Sequence, residues 1–110
     1  MNKKFEVIFL EEALSFIDSL DLKTRKKIYY NFDKARYGND PKLFKKLTDE
    51  IWEFRTKYSG LQYRFFAFWD KTEKGETLVI STHGIIKKVS KVPKSEIEKA
   101  MKIRAVYLEL

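Results

Sequence analysis

From Ile51 the side-chain pattern settles into a period of two and keeps it, with two polar interruptions, as far as Ile86. Over 51–58, Trp52, Phe54, Thr56 and Tyr58 alternate with Ile51, Glu53, Arg55 and Lys57, so a strand here sends its aromatics to one face and its charges to the other. Ser59-Gly60 turns the chain into Tyr63-Arg64-Phe65-Phe66-Ala67-Phe68-Trp69, which is too apolar for an edge and is expected to be the central strand. The segment from Lys71 to Glu76 reads as a polar hairpin loop, and Thr77 to Ile86 as the last strand. Val79, Ser81, His83, Ile85 and Lys87 lie on one side of it if the alternation continues through Gly84. Strands joined by such short turns commit the second half of the chain to an antiparallel sheet.

The first half has a different period. Phe5 to Leu10 is β-branched and aromatic and too short for a helix, so it reads as a strand inside a sheet. Ala13, Leu14, Phe16, Ile17 and Leu20 then recur at helical spacing; after Asp21, an N-cap residue type, Ile28, Tyr29, Phe32 and Ala35 repeat the stripe. Gly38-Asn39-Asp40-Pro41 ends that second helix, since Pro disfavours helical geometry in the residue before it. Leu43, Phe44 and Leu47 predict a short packed turn. Near the end, Pro93 and the Ser95-to-Glu98 stretch bring two helix-start signals that cannot share one N-cap: a Pro near the first turn and a Ser-x-x-Glu capping box. The helix they open carries Ile97, Ala100, Met101, Arg104, Tyr107 and Leu108 as its stripe. The expected order is βααβββα, an α+β fold in a single domain over residues 1–110, with no repeat or linker.

Composition narrows the partner. Lys and Arg outnumber Asp and Glu by 23 to 16, so the chain carries a formal charge of +7 and favours a polyanion, with nucleic acid ahead of an acidic protein or a membrane surface. There is no Cys and a single His, which rules out a disulfide framework, a thiolate metal site and a His-rich zinc site. No metal and no cofactor are expected. Apolar runs are short and Glu6, Glu11 and Glu12 interrupt the N-terminus, so a soluble, unprocessed, cytoplasmic protein with no membrane role is expected.

The chemistry-bearing residues are few enough to name. Cutting RNA without a metal requires a base for the ribose 2′-OH, an acid for the departing 5′ oxygen and cations for the crowded phosphate. Glu53 and His83 are the candidate acid/base pair, with Glu53 as base or as the group that orients His83; Arg55 and Arg64 are candidates for holding transition-state charge. Lys57, Lys87, Lys88 and Lys91 would hold the RNA backbone. Blander readings stand beside these. Glu53 and Arg55 are also what a solvated ion-pair face looks like, and a lone His is often a hydrogen-bonded surface residue. Arg64 amid aromatics on a central strand must be paired or must face a cleft, and Glu53 serves the first purpose as well as phosphate serves the second. Trp52, Phe54, Phe66, Phe68 and Trp69 are mostly core, with base stacking as the minority role.

The chain resembles the RelE/ParE superfamily of bacterial toxins, most closely its HigB-like, phage-derived branch. The likeness runs through Leu47-Thr48-Asp49-Glu50-Ile51-Trp52-Glu53-Phe54-Arg55, Tyr63-Arg64-Phe65-Phe66-Ala67-Phe68, His83-Gly84-Ile85-Ile86-Lys87-Lys88, Lys91-Val92-Pro93 and Glu96-Ile97-Glu98-Lys99-Ala100, in that order. It implies a small RelE-like domain, a mainly antiparallel sheet with a helical hairpin and a C-terminal helix. It also implies a type II toxin that cleaves mRNA on the translating ribosome and is silenced by a cognate antitoxin, commonly of helix-turn-helix type, through which alone the complex would meet DNA. Carried over by position, Glu53, Arg55, Arg64, His83, Lys87 and Lys88 would face the RNA. Ile85 stands where relatives often have Phe, and the Tyr that several relatives carry beyond the last strand has no match among residues 86–95.

Two rivals follow from the same residues. A ParE-like toxin has this architecture but poisons DNA gyrase without catalysis, and a basic RNA- or ribosome-binding domain would need only the lysines. A metal-dependent nuclease built on Asp49, Glu50 and Glu53 is disfavoured, because strand alternation sends neighbouring carboxylates to opposite faces.

Overall fold

A computed structural model describes residues 2–72 and 77–110. Its elements are β1 (Glu6–Phe9), α1 (Glu11–Asp18), α2 (Leu22–Ala35), β2 (Phe44–Lys46), β3 (Trp52–Tyr58), β4 (Leu61–Asp70), β5 (Leu78–Lys87) and α3 (Lys94–Glu109). The expected α+β class holds, with one strand more than expected. Phe44–Lys46, read from sequence as a packed turn, pairs antiparallel with β3 through Phe44 to Phe54 and Lys46 to Trp52. Three residues are too few to display an alternation, which is why the pattern did not reveal it. The polar loop expected between the last two strands has residues 73–76 outside the described set.

The strands lie in the order β1-β5-β4-β3-β2, with β1 parallel to β5 and every other pair antiparallel. Strand β4 is central, as its apolar run requires, and Tyr63 to Phe68 are all buried. At the β3–β4 turn both Ser59 and Gly60 have positive φ (51° and 80°), the conformation a two-residue hairpin needs to match strand twist.

Helices α1 and α2 cover one face. Asp21 caps α2 by accepting from the Thr24 backbone N–H at 3.4 Å, and the apolar stripe docks Ile28, Phe32 and Ala35 with Ala13, Ile17, Phe54, Tyr63, Phe65 and Val79. Burying each of the Ile, Phe and Val side chains among them contributes about 1.5–3 kcal/mol. Within that layer, the Asn31 amide donates to the Thr56 hydroxyl at 3.0 Å, so the one buried amide of α2 has a partner on β3. Helix α3 covers part of the other face, where Ala100, Ile97 and Tyr107 meet Ile51, Phe68 and Ile80. It begins after Pro93, and no side chain caps its N-terminus. Of the two helix-start signals in the sequence, the Pro marks the boundary and the Ser-x-x-Glu box does not form.

The alternation of β5 breaks at Thr82, two residues before Gly84, the point at which sequence placed the risk. Phe66 pairs with His83 but Ala67 pairs with Ser81, leaving Thr82 as an extra residue in a β-bulge. Val79 therefore points to the helical hairpin, while His83 and Ile85 point to the α3 side. The expected single-sided row from Val79 to Lys87 is corrected to two half-rows on opposite faces.

Candidate active site

Strand register carries the candidate residues onto the α3 side of the sheet in three successive rows. Lys57 lies opposite Gln62, which lies opposite Lys87; Arg55 opposite Arg64, then Ile85; Glu53 opposite Phe66, then His83. Directly opposed residues share a face, so Glu53, Arg55, Lys57, Arg64, His83 and Lys87 all project the same way. Without the bulge at Thr82, His83 would join Val79 and Ser81 on the opposite face. Lys88 and Lys91 are exposed in the segment between β5 and α3.

Glu53 is the electrostatic centre. Its Oε1 lies 3.2 Å from Nε of Arg64 and its Oε2 lies 3.8 Å from Nε of Arg55. Both contacts are within ion-pair distance, yet neither is aligned as a hydrogen bond. The Arg64 guanidinium donates instead to Oε1 of Gln62 at 2.7 Å and to the Tyr63 carbonyl at 3.5 Å. Arg55 donates to the Pro41 carbonyl at 3.2 Å. Glu53 and Arg64 are 4% and 3% exposed, so both are taken out of water. Burial pushes the Glu53 carboxyl above its ordinary value, against the pull of Arg64, Arg55, Lys87 and Lys45. The same desolvation lowers Arg64, with Glu53 opposing it.

His83 does not meet Glu53. Phe66 stands between them in the register and stacks on the imidazole, with centroids 4.9 Å apart and planes at 27°. The two ring nitrogens are engaged elsewhere: Nδ1 with the Thr82 hydroxyl at 2.8 Å and Nε2 with Oε1 of Glu96 at 3.1 Å. At 2% exposure, burial holds His83 below the usual histidine pKa although the Glu96 hydrogen bond pulls upward, so the ring is neutral at pH 7.

The residues expected to face RNA thus divide. Arg55 is partly exposed, and Lys57, Lys88 and Lys91 are exposed. Glu53, Arg64 and His83 lie in the same layer but are closed from solvent. A carboxylate held near two guanidiniums, with an elevated proton affinity, is suited to taking a proton once a phosphate competes for those cations. Among the described residues no group of three His, Asp or Glu side chains converges to hold a metal ion. Asp49 and Glu50 lie exposed in the β2–β3 loop, and Glu50 pairs with Arg104 at 3.2 Å.

Glu96 is the functional candidate that sequence reasoning missed. In the sequence it stood only within the Glu96-to-Ala100 stretch of the family likeness, with no role given to it, whereas its side chain crosses to a histidine 13 residues earlier. No local pattern encodes that contact, because it depends on how α3 docks. Thr82 was equally silent, since a bulge leaves no mark in composition.

Residues 15–105 match the family described as phage derived protein Gp49-like (DUF891). No curated protein matches the chain. Among the described residues no helix is long and apolar enough to cross a membrane.

Proposed function

We propose, from the premise that the chain belongs to the phage-derived Gp49-like family, a toxin-like family related to RelE/ParE, that it is a type II toxin cleaving mRNA on the translating ribosome. The observation that carries the reading is the gathering of Glu53, Arg55, Arg64 and His83 on one side of the sheet, bordered by Lys57, Lys87, Lys88 and Lys91. An apolar layer would fill this space at lower cost, so a buried carboxylate with two arginines calls for a purpose beyond stability.

In this mechanism the scissile phosphate takes the place of Glu53 on Arg55 and Arg64. Glu53, released and already of raised proton affinity, takes the 2′-OH proton as that oxygen attacks the phosphorus. The 5′ oxygen leaves with a proton from His83, which is neutral while buried and takes up that proton from water once α3 has moved off it, with the Thr82 hydroxyl still at Nδ1. Because His83 and Glu53 are closed from solvent, RNA entry requires the first turn of α3 to swing away and take Glu96 off the imidazole. A cognate antitoxin, of helix-turn-helix type, would hold the toxin silent in the cytoplasm and carry any contact with DNA.

The test is 5′-end mapping of mRNA after induced expression of the unaltered chain, Glu53→Gln and His83→Gln. General acid-base roles predict a loss of about 10²- to 10⁴-fold in each variant. Undiminished cutting by either variant removes that residue from the mechanism. The engagement of both His83 ring nitrogens favours a second reading, a basic ribosome-binding domain without catalysis; for it, no new 5′ ends appear, and removing the lysines releases the ribosome. Inhibition of gyrase supercoiling without mRNA cleavage would transfer the chain to the ParE mode of action.

A further inference from the structure

Away from the β3–β4 turn, at the opposite end of these strands, a cleft of about 630 Å³ opens between β2, the start of β3, the end of β4 and the C-terminal half of α3. Its walls bring together Trp52 and Trp69, the two tryptophans of the chain, with the cations Lys46, Lys71 and Arg104 and the carboxylates Asp49 and Glu50. No role in the chemistry above touches it. Of the five aromatics that sequence offered as base-stacking candidates, Phe54, Phe66 and Phe68 are at most 2% exposed. Only the two indoles keep accessible surface.

These indoles are already fixed. They meet edge to face at 5.8 Å and 78°; Phe44 backs Trp52 at 4.8 Å, and Phe5 backs Trp69 at 5.2 Å. A ring held in this way loses little rotamer freedom when a ligand stacks on it. Glu50 is drawn to Arg104, and Lys46 and Lys71 are exposed. Rigid π-faces beside several cations are the recurring chemistry of single-stranded nucleic-acid grooves, in which every base stacks and the backbone is held electrostatically. An acidic peptide would use the cations and leave the ring faces idle. The volume falls within the usual range for small-ligand sites, about 300–1,000 Å³.

We propose that this cleft binds one or two nucleotides of single-stranded RNA, with bases stacking on Trp52 and Trp69 and phosphates held by Lys46, Lys71 and Arg104. The inference rests on RNA being the substrate and adds a subsite to that reading. Trp52 and Glu53 are neighbours whose side chains leave β3 on opposite faces, so a strand seated in the cleft passes around the end of the sheet toward the catalytic rows.

Because both tryptophans lie in the cleft, intrinsic fluorescence reports on it directly. A short 2′-O-methyl oligonucleotide, which cannot be cleaved, is titrated into the full chain, and quenching is read at two salt concentrations. Quenching is expected, with a midpoint that rises with salt. Combined Lys46→Ala and Lys71→Ala substitutions raise the midpoint on the order of tenfold, whereas Lys23→Ala on α2 leaves it in place. An abasic oligonucleotide or a polyglutamate peptide is expected to quench poorly. Unchanged fluorescence, equal quenching by either control ligand, or an equal effect of Lys23→Ala overturns the proposal. Quenching without mRNA cleavage leaves the cleft standing and removes the nuclease; cleavage without quenching does the reverse.

Discussion

The helical-hairpin face of the sheet is aromatic and aliphatic from Phe5 across to Tyr63 apart from the buried hydroxyls of Thr56 and Ser81, whereas the α3 face gives up three buried positions to the ionisable Glu53, Arg64 and His83. Both faces bury side chains, but on different terms. On the first, each buried ring lowers the free energy of folding, and the one buried amide of α2, that of Asn31, has its partner in Thr56. On the second, two ionic groups lose their hydration for an ion pair whose geometry is not that of a hydrogen bond. The first face gains from its burial; the second carries a desolvation cost that an apolar layer of similar volume would avoid.

The sharpest way to break this contrast is to remove one partner of the buried pair. Arg64→Leu leaves Glu53 buried without its nearest cation, and denaturant unfolding is expected to show a loss of about 3–5 kcal/mol. The double change Glu53→Leu with Arg64→Leu should recover most of that stability, while mRNA cleavage stays abolished. A double variant that is as unstable as the single one would mean the ion pair is structural after all.

On the opposite face the expected effect is smaller. A Cβ placed on Gly84 would come within 2.6 Å of both Phe16 and Phe65. Gly84→Ala is therefore expected to cost about 1–3 kcal/mol through overpacking between α1 and the sheet, read as a lowered melting temperature. Replacing Lys57, Lys87, Lys88 and Lys91 together by Ala should leave the melting temperature nearly unchanged, since surface positions away from packed features move it by about 0.5 kcal/mol or less each. The same replacement should reduce the salt dependence of ribosome binding. A salt slope that survives it would place the electrostatic contact elsewhere.

The smallest effect is a pH dependence of opposite sign at the two buried acid/base groups. His83 has its folded pKa below the unfolded value of about 6.5, so the unfolded chain takes up the proton first and stability is lost as pH falls from there through the folded value. Glu53 has its folded pKa raised, so the cost of its buried charge is relieved as pH falls through that folded value. The difference in unfolding free energy between the unaltered chain and His83→Gln should therefore shift against the unaltered chain below pH about 6.5. A difference that is flat with pH would mean His83 is not held neutral.

Periodicity located both helices of the hairpin and the stripe of the C-terminal helix, because side chains three to four apart must share a face whatever else the fold does, while an apolar run located the central position of β4 and residue type the Ser59-Gly60 turn. It also put Glu53, Arg55 and Lys57 on the face opposite Trp52 and Phe54, as the register has them. What it missed lies in three places. Strand β2 was too short to carry a pattern, the bulge at Thr82 left none, and Glu96 reaches His83 from an element whose docking no local rule describes. The cleft at Trp52 and Trp69 belongs with these, since Lys46, Lys71 and Arg104 come from three separate parts of the chain.

The amino-acid order by itself determined the order of the longer elements, the two faces of β3 and the strong positive charge, all of which follow from backbone periodicity and composition. Only the tertiary structure decided that His83 turns to the α3 side, that Glu53 and Arg64 are sealed from water, and that a carboxylate of α3 closes on the imidazole. The physical reason is that burial, and the desolvation that shifts proton affinities, are properties of what lies above a side chain in space, and nothing in its sequence neighbours supplies that.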